Sequence, residues 1–141
     1  MSQSSTELSP ALAASHGSWR AVNGRDRAGW LALMADDVLV EDPIGPGPSN
    51  SGGTGVRGKA AVGEFWDATI AVSNTKVTCE ETFPSSSPDE IAHILSLHFE
   101  FEGGHWGEVR GVFTYRVNGD GLLTNLRGYW NMDVMKFGKT D

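Results

Sequence analysis

Asp42 is the side chain in this sequence with the strongest claim to chemistry. Residues 38–42 alternate in character, and strict alternation sends successive side chains to opposite faces of a strand. Val38, Val40 and Asp42 therefore share one face, while Leu39 and Glu41 share the other. A carboxylate on an otherwise aliphatic face loses hydration, which disfavours its charged form and raises its pKa. Pro43 restricts the residue before it to extended backbone, so the Asp42 side chain is aimed. A fixed, partly desolvated carboxylate is suited to taking and returning a proton. The competing explanation is that Asp42 only opens the turn that follows, a common use of Asp before Pro. Spacing alone leaves both open.

The other polar residues make weaker cases. His93 shares a face with Ile91, Leu95 and Leu97 and reads as a core histidine rather than a ligand. His98, Glu100, His105 and Glu108 are the nearest approach to a metal set, but their spacing matches no metal-site pattern. No metal and no cofactor are expected. Glu41 is expected to be solvated, and Arg110 and Arg127 to form salt bridges within a sheet. The glycine-rich segment 45–58 lacks the Lys-Ser/Thr ending of a phosphate loop, so nucleotide binding is unsupported. Taken singly, Trp19, Trp30, Trp66, Trp106 and Trp130 read as core.

These residues need a scaffold, and 141 residues supply about one domain. An apolar content of 39% is that of a folded domain, long enough to bury a core without staples. Eleven basic against eighteen acidic residues leave a net charge of −7, which repels nucleic acid and anionic membrane surfaces. The single Cys79 excludes an internal disulfide and fits a reducing compartment. No apolar run reaches the roughly 20 residues of a membrane span. The polar start shows no signal peptide, so a cytoplasmic location is expected.

Period and punctuation place the elements. Ser9-Pro10 starts an amphipathic helix that runs to about Val22 and ends at Asn23-Gly24. Asp26 caps a second, short helix carrying Trp30, Leu31, Leu33 and Met34. A strand ends at Asp42, a long loop covers residues 43–57, and a third helix runs over 58–72 with Ala61, Val62, Phe65, Trp66 and Ile70 at helical spacing. Residues 76–83, 90–102, 105–117 and 122–131 all read as strands, with turn signals at Gly103-Gly104 and at 118–121. The boundaries expected are a tail over 1–9, one domain over 10–137 and a tail over 138–141. Helices followed by a run of strands give an α+β fold in which a curved, mainly antiparallel sheet wraps around three helices. The hollow of such a sheet is a natural small-molecule pocket.

Four segments carry a family resemblance. Leu33-Met-Ala-Asp-Asp-Val-Leu-Val-Glu-Asp-Pro-Ile-Gly-Pro-Gly-Pro48 and Gly58-Lys-Ala-Ala-Val-Gly-Glu-Phe-Trp66 closely resemble the ketosteroid isomerases, of the nuclear-transport-factor-2-like (SnoaL-like) superfamily. Tyr115-Arg-Val-Asn-Gly-Asp-Gly121 and Leu126-Arg-Gly-Tyr-Trp130 match in pattern. The resemblance covers residues 10–137 and is greatest to the mycobacterial branch of these proteins. It implies a cone-shaped α+β barrel, a homodimer, and a small apolar ligand such as a steroid. It places Asp42 on the general base, which takes the proton next to the 3-keto group and returns it two carbons along. It puts Val40, Phe65, Phe99, Phe113 and Trp130 around the ligand.

The sequence departs from the isomerase pattern at the oxyanion site. The isomerases hold the developing negative oxygen with a tyrosine and a protonated aspartic acid. Ser18 and Phe113 stand in those places here, and Trp66 replaces a supporting tyrosine. Loss of one oxyanion donor costs about a hundred- to a thousandfold in rate, so isomerisation is expected to be weak unless Ser18, Tyr115 or Trp66 supplies a substitute donor. Two alternatives accompany that expectation: a steroid or polycyclic-ligand binder without chemistry, and a cyclase or epoxide-hydrolase-like enzyme using Asp42, the latter through an Asp–Arg–Asp arrangement.

Overall fold

The computed structural model describes residues 8–47 and 52–140. Most of the expected N-terminal tail, residues 48–51 of the long loop and residue 141 lie outside the described residues. The first helix, α1 (Pro10–Asn23), starts where Ser9 Oγ accepts the Leu12 amide at 3.2 Å. That bond satisfies one of the amides a helix start leaves without an intrahelical partner. At the other end the left-handed residue is Arg25 (φ 57°), not Gly24. Asn23 turns outward instead, accepting from Val77 N at 2.7 Å and donating to Val77 O at 3.1 Å. It thus ties the helix end to a strand. Asp26 caps α2 (Arg27–Leu31) through the Gly29 amide at 2.9 Å.

Next come β1 (Met34–Glu41), the two-residue β2 (Val56–Arg57) and α3 (Lys59–Ala68). The third helix is four residues shorter at its C-terminal end than its apolar period predicts. Thr69 Oγ1 bonds back to Phe65 O at 2.6 Å, and the chain turns there toward β3 (Asn74–Pro84). The remaining strands are β4 (Glu90–Glu100), β5 (His105–Val117), β6 (Leu123–Tyr129) and β7 (Lys136–Lys139). The β4–β5 hairpin turns through Gly103 and Gly104 at φ 75° and 80°, a backbone that side chains rarely tolerate. Strand β7 pairs with β5 and runs on into the segment expected to be tail, where Thr140 N donates to Gly104 O at 2.7 Å.

The sheet is curved, unclosed and mixed, in the order β2-β1-β6-β5-β4-β3 with β7 on β5. The sheet is mainly antiparallel as expected, with one parallel pair: β1 runs along β6, with Val40 opposite Leu126 and Glu41 opposite Arg127. That pair joins residues more than eighty positions apart, a relation no local pattern encodes. Helices pack on the inner face, where Met34, Val38, Val62, Leu95, Phe113 and Leu123 are buried in one apolar cluster. The α+β architecture is the one expected.

Candidate active site

Asp42 leaves the end of β1 on the same inward face as Val38 and Val40. Glu41 pairs with Arg127 across the β1–β6 ladder and Ile44 N donates to Gly128 O at 2.9 Å, which hold the chain on either side of it. The peptide bond to Pro43 is cis. The Trp130 indole N–H, at the end of β6, donates to Asp42 Oδ1 at 2.6 Å. Little of Asp42 is exposed, and it lines a cavity rather than open surface. Loss of hydration pushes its carboxyl from an ordinary 3.8 up to about 6, and the Trp130 hydrogen bond pulls the other way.

The cavity, about 370 Å³, sits between the helices and the inner face of the sheet. Val40, Phe65, Phe99, Phe113 and Trp130 line it together with Asp42, which is the one carboxylate among its described lining residues. At the rim Val72, Phe101, Met132 and Phe137 are both lining and exposed, so the mouth is apolar as well.

Ser18 and Tyr115 form a polar node in this wall. Trp30 Nε1 donates to Ser18 Oγ at 3.0 Å and Trp19 Nε1 donates to Tyr115 Oη at 2.9 Å, and both residues line the cavity. Two indole donors thus fill acceptor positions on a serine–tyrosine pair. Each hydroxyl also carries an O–H proton, so the node can offer a donor to a ligand oxygen. Burial holds the Tyr115 phenol far above its ordinary range, and the charge of Asp42 adds to that effect, so the hydroxyl is a neutral donor.

Trp66 does not join them. On α3 it shares a buried stripe with Val62, packs against Trp30 at 5.2 Å between ring centroids and does not line the cavity. Adjacent on the helix, Phe65 faces the cavity instead. The expectation of Trp66 as a donor is therefore corrected.

His93 is fully buried between Trp19 and Tyr115, with Nε2 3.0 Å from Ser15 Oγ and Nδ1 2.9 Å from Thr82 Oγ1. Ser15 Oγ already donates to Ala11 O, so it accepts from His93, and Nδ1 accepts from Thr82. Burial, reinforced by His16, lowers its pKa from 6.5 to about 4, so the ring is neutral. Among the described residues no group of three or more His, Cys, Asp or Glu side chains could hold a metal ion. His98 instead stacks on Trp106 and pairs with Glu108 at 3.0 Å.

Glu41 is not solvated as expected: its side chain keeps 15% exposure and bonds Arg127 Nε at 3.0 Å. Arg110 pairs with Glu80 at 2.8 Å. Arg127 lies with Glu41 in a charged depression on the outer face, across the strand from Asp42. An Asp–Arg–Asp triad at Asp42 is thus absent among the described residues.

The sequence reading missed Gly128. A Cβ on it would stand 2.7 Å from the Phe113 ring and 2.8 Å from Asp42 Oδ1, so only glycine lets the carboxylate lie over β6. Its place in Leu126-Arg-Gly-Tyr-Trp130 offers a signal only when β6 is known to adjoin β1. Trp30 was also missed as a donor, because an aromatic residue at helical spacing looks like core.

The SnoaL-like domain profile matches residues 16–126. The chain is 67% identical to RV0760c from Mycobacterium tuberculosis, with a TM-score of 0.91 over 94% of this chain and 98% of that one. The same protein in complex with estradiol-17beta-hemisuccinate matches at a TM-score of 0.90 and 67% identity, over 92% and 99% of the two chains. A Δ5-3-ketosteroid isomerase from Mycobacterium sp. is 62% identical, with a TM-score of 0.91 over 93% of this chain and all of that one.

Proposed function

From the premise that this chain belongs to the SnoaL-like domain family, we propose that it binds a 3-ketosteroid and moves its double bond from Δ5 to Δ4 by proton transfer through Asp42. The observation that carries this reading is a single carboxylate, held by Trp130, on the wall of a mainly apolar cavity. High identity to a ketosteroid isomerase and to a steroid-complexed neighbour supports it.

Asp42 takes a proton from the carbon beside the ketone, leaving a dienolate, and returns that proton two carbons along. No cofactor enters this exchange. The negative oxygen is met by a hydroxyl proton of Ser18 or Tyr115. Phe113, where an acid would complete a second donor, contributes only apolar surface. One donor in place of two makes the reaction slow, by about a hundredfold or more relative to a two-donor site. On the same reading the protein is cytoplasmic and homodimeric. The paired outward residues Val112 and Tyr129, 40% and 52% exposed, support a self-association surface.

Turnover of a Δ5-3-ketosteroid, followed by the absorbance of the conjugated enone, tests the reading. Asp42→Asn is expected to lower kcat by about 10²–10⁴ and Tyr115→Phe by about 10², both with steroid affinity largely kept. A wild-type protein that binds the steroid and never isomerises it would establish the binder alternative instead.

A further inference from the structure

The cavity has a second polar point, remote from Asp42. Thr75 stands on the inward face of β3, with Val77 next on that face, and both line the cavity. Ser73, just before the strand, lines it too, and its Oγ lies 2.8 Å from Thr75 Oγ1. Both residues are buried, at 6% and 3% exposure. The pair is held in place, because Arg25 donates to Ser73 O at 2.5 Å and Thr75 pairs with Phe99 across the β3–β4 ladder.

Two hydroxyls carry two O–H protons, and the bond between them uses one. No acceptor among the described residues takes the other. A buried donor left without an acceptor costs about 1–3 kcal/mol, so an oxygen of whatever fills the cavity is its natural partner. Asp42 follows β1 and Thr75 lies on β3, with β6, β5 and β4 between them. The ladders run from Glu41, next to Asp42, through Arg127, Thr114 and Ala92 to Phe83, eight residues along β3 from Thr75, so the two points are offset along the strands as well as across them. Between them the wall is Phe99, Leu97, Leu95 and Phe113.

We infer that Ser73 and Thr75 form a distal anchor which selects ligands carrying an oxygen at each end of a rigid apolar frame. This rests on the proposed steroid reading and narrows it: the substrate is a 3-ketosteroid with a second oxygen on its far ring, held by the leftover hydroxyl proton of the pair. The anchor positions the ligand and takes no part in the proton transfer.

The test compares androstenedione with its analogue lacking the D-ring ketone, by titrating indole fluorescence. Wild type is expected to bind androstenedione at least about fivefold more tightly, the worth of one hydrogen bond. The combined variant Ser73→Ala/Thr75→Val removes both partners in nearly the same shape, and its preference is expected to vanish or reverse. Thr75→Ser, which keeps the hydroxyl, is expected to retain the preference and so separates loss of the anchor from damage to the fold. Equal affinity of wild type for the two steroids, or a preference that survives in the combined variant, overturns the anchor and leaves the steroid reading standing. Failure of both steroids to bind wild type overturns both.

Discussion

Two opposed effects set the protonation of Asp42. Burial in an apolar wall raises its pKa from 3.8 to about 6, and the Trp130 indole N–H favours the charged form. A base works only when deprotonated, so kcat/KM for the isomerisation is expected to rise with pH and reach half its plateau near pH 6. Trp130→Phe removes the interaction that lowers the pKa, so the midpoint moves to higher pH. A hydrogen bond to a charged group is worth about 1.5–3 kcal/mol, which corresponds to about one pH unit or more. A Trp130→Phe profile that does not move, or moves to lower pH, would sink this account of the carboxylate.

The pairing of β1 with β6 makes the site. It lays Gly128 beneath the Asp42 carboxylate and brings Trp130 within bonding distance. Gly128→Ala places a methyl where Asp42 Oδ1 and the Phe113 ring now sit, so one or both must move. Overpacking of this kind costs about 1–3 kcal/mol of stability, and the expected result is a lower Tm together with loss of isomerase activity well beyond the unfolded fraction. Far-ultraviolet circular dichroism at the assay temperature separates the two effects. Activity per folded molecule equal to wild type would show that the carboxylate tolerates displacement. On the opposite edge, Asn23 does for β3 what a neighbouring strand would do, bonding both polar groups of Val77.

Over the whole molecule, two buried groups titrate against each other. Asp42 has a raised pKa in the folded state, so the native protein binds that proton more tightly than the unfolded chain. Its contribution to stability grows as pH falls from about 6 to 3.8. His93 has a lowered pKa, so the native protein resists that proton, and stability is lost as pH falls from 6.5 toward about 4. The windows overlap and the signs are opposite. Asp42→Asn removes the gain and keeps the loss, so its Tm is expected to drop more steeply than that of wild type on acidification through this range. At pH 7 the same variant is expected to be more stable, by on the order of 3 kcal/mol, because no charge is left to desolvate. Parallel Tm profiles for the two proteins would contradict the opposed titrations.

What the sequence by itself determined was local. The Ser9 and Asp26 caps, the alternation that turns Asp42 inward with Val38 and Val40, the hairpin glycines and the inward face of β4 with His93 all follow from residue type and a short-range period, since each is decided within a turn or a strand. The family resemblance rested on such segments as well. Tertiary structure alone decided who meets whom across the chain. The parallel partner of β1, the strand β7 paired with β5, the Glu41–Arg127 pair on the outer face and the retreat of Trp66 behind Trp30 depend on contacts between distant segments. The indole donors on Ser18 and Tyr115 and the Ser73–Thr75 pair arise for the same reason: their neighbours are set by the curvature of the sheet and the docking of helices, which local spacing does not encode.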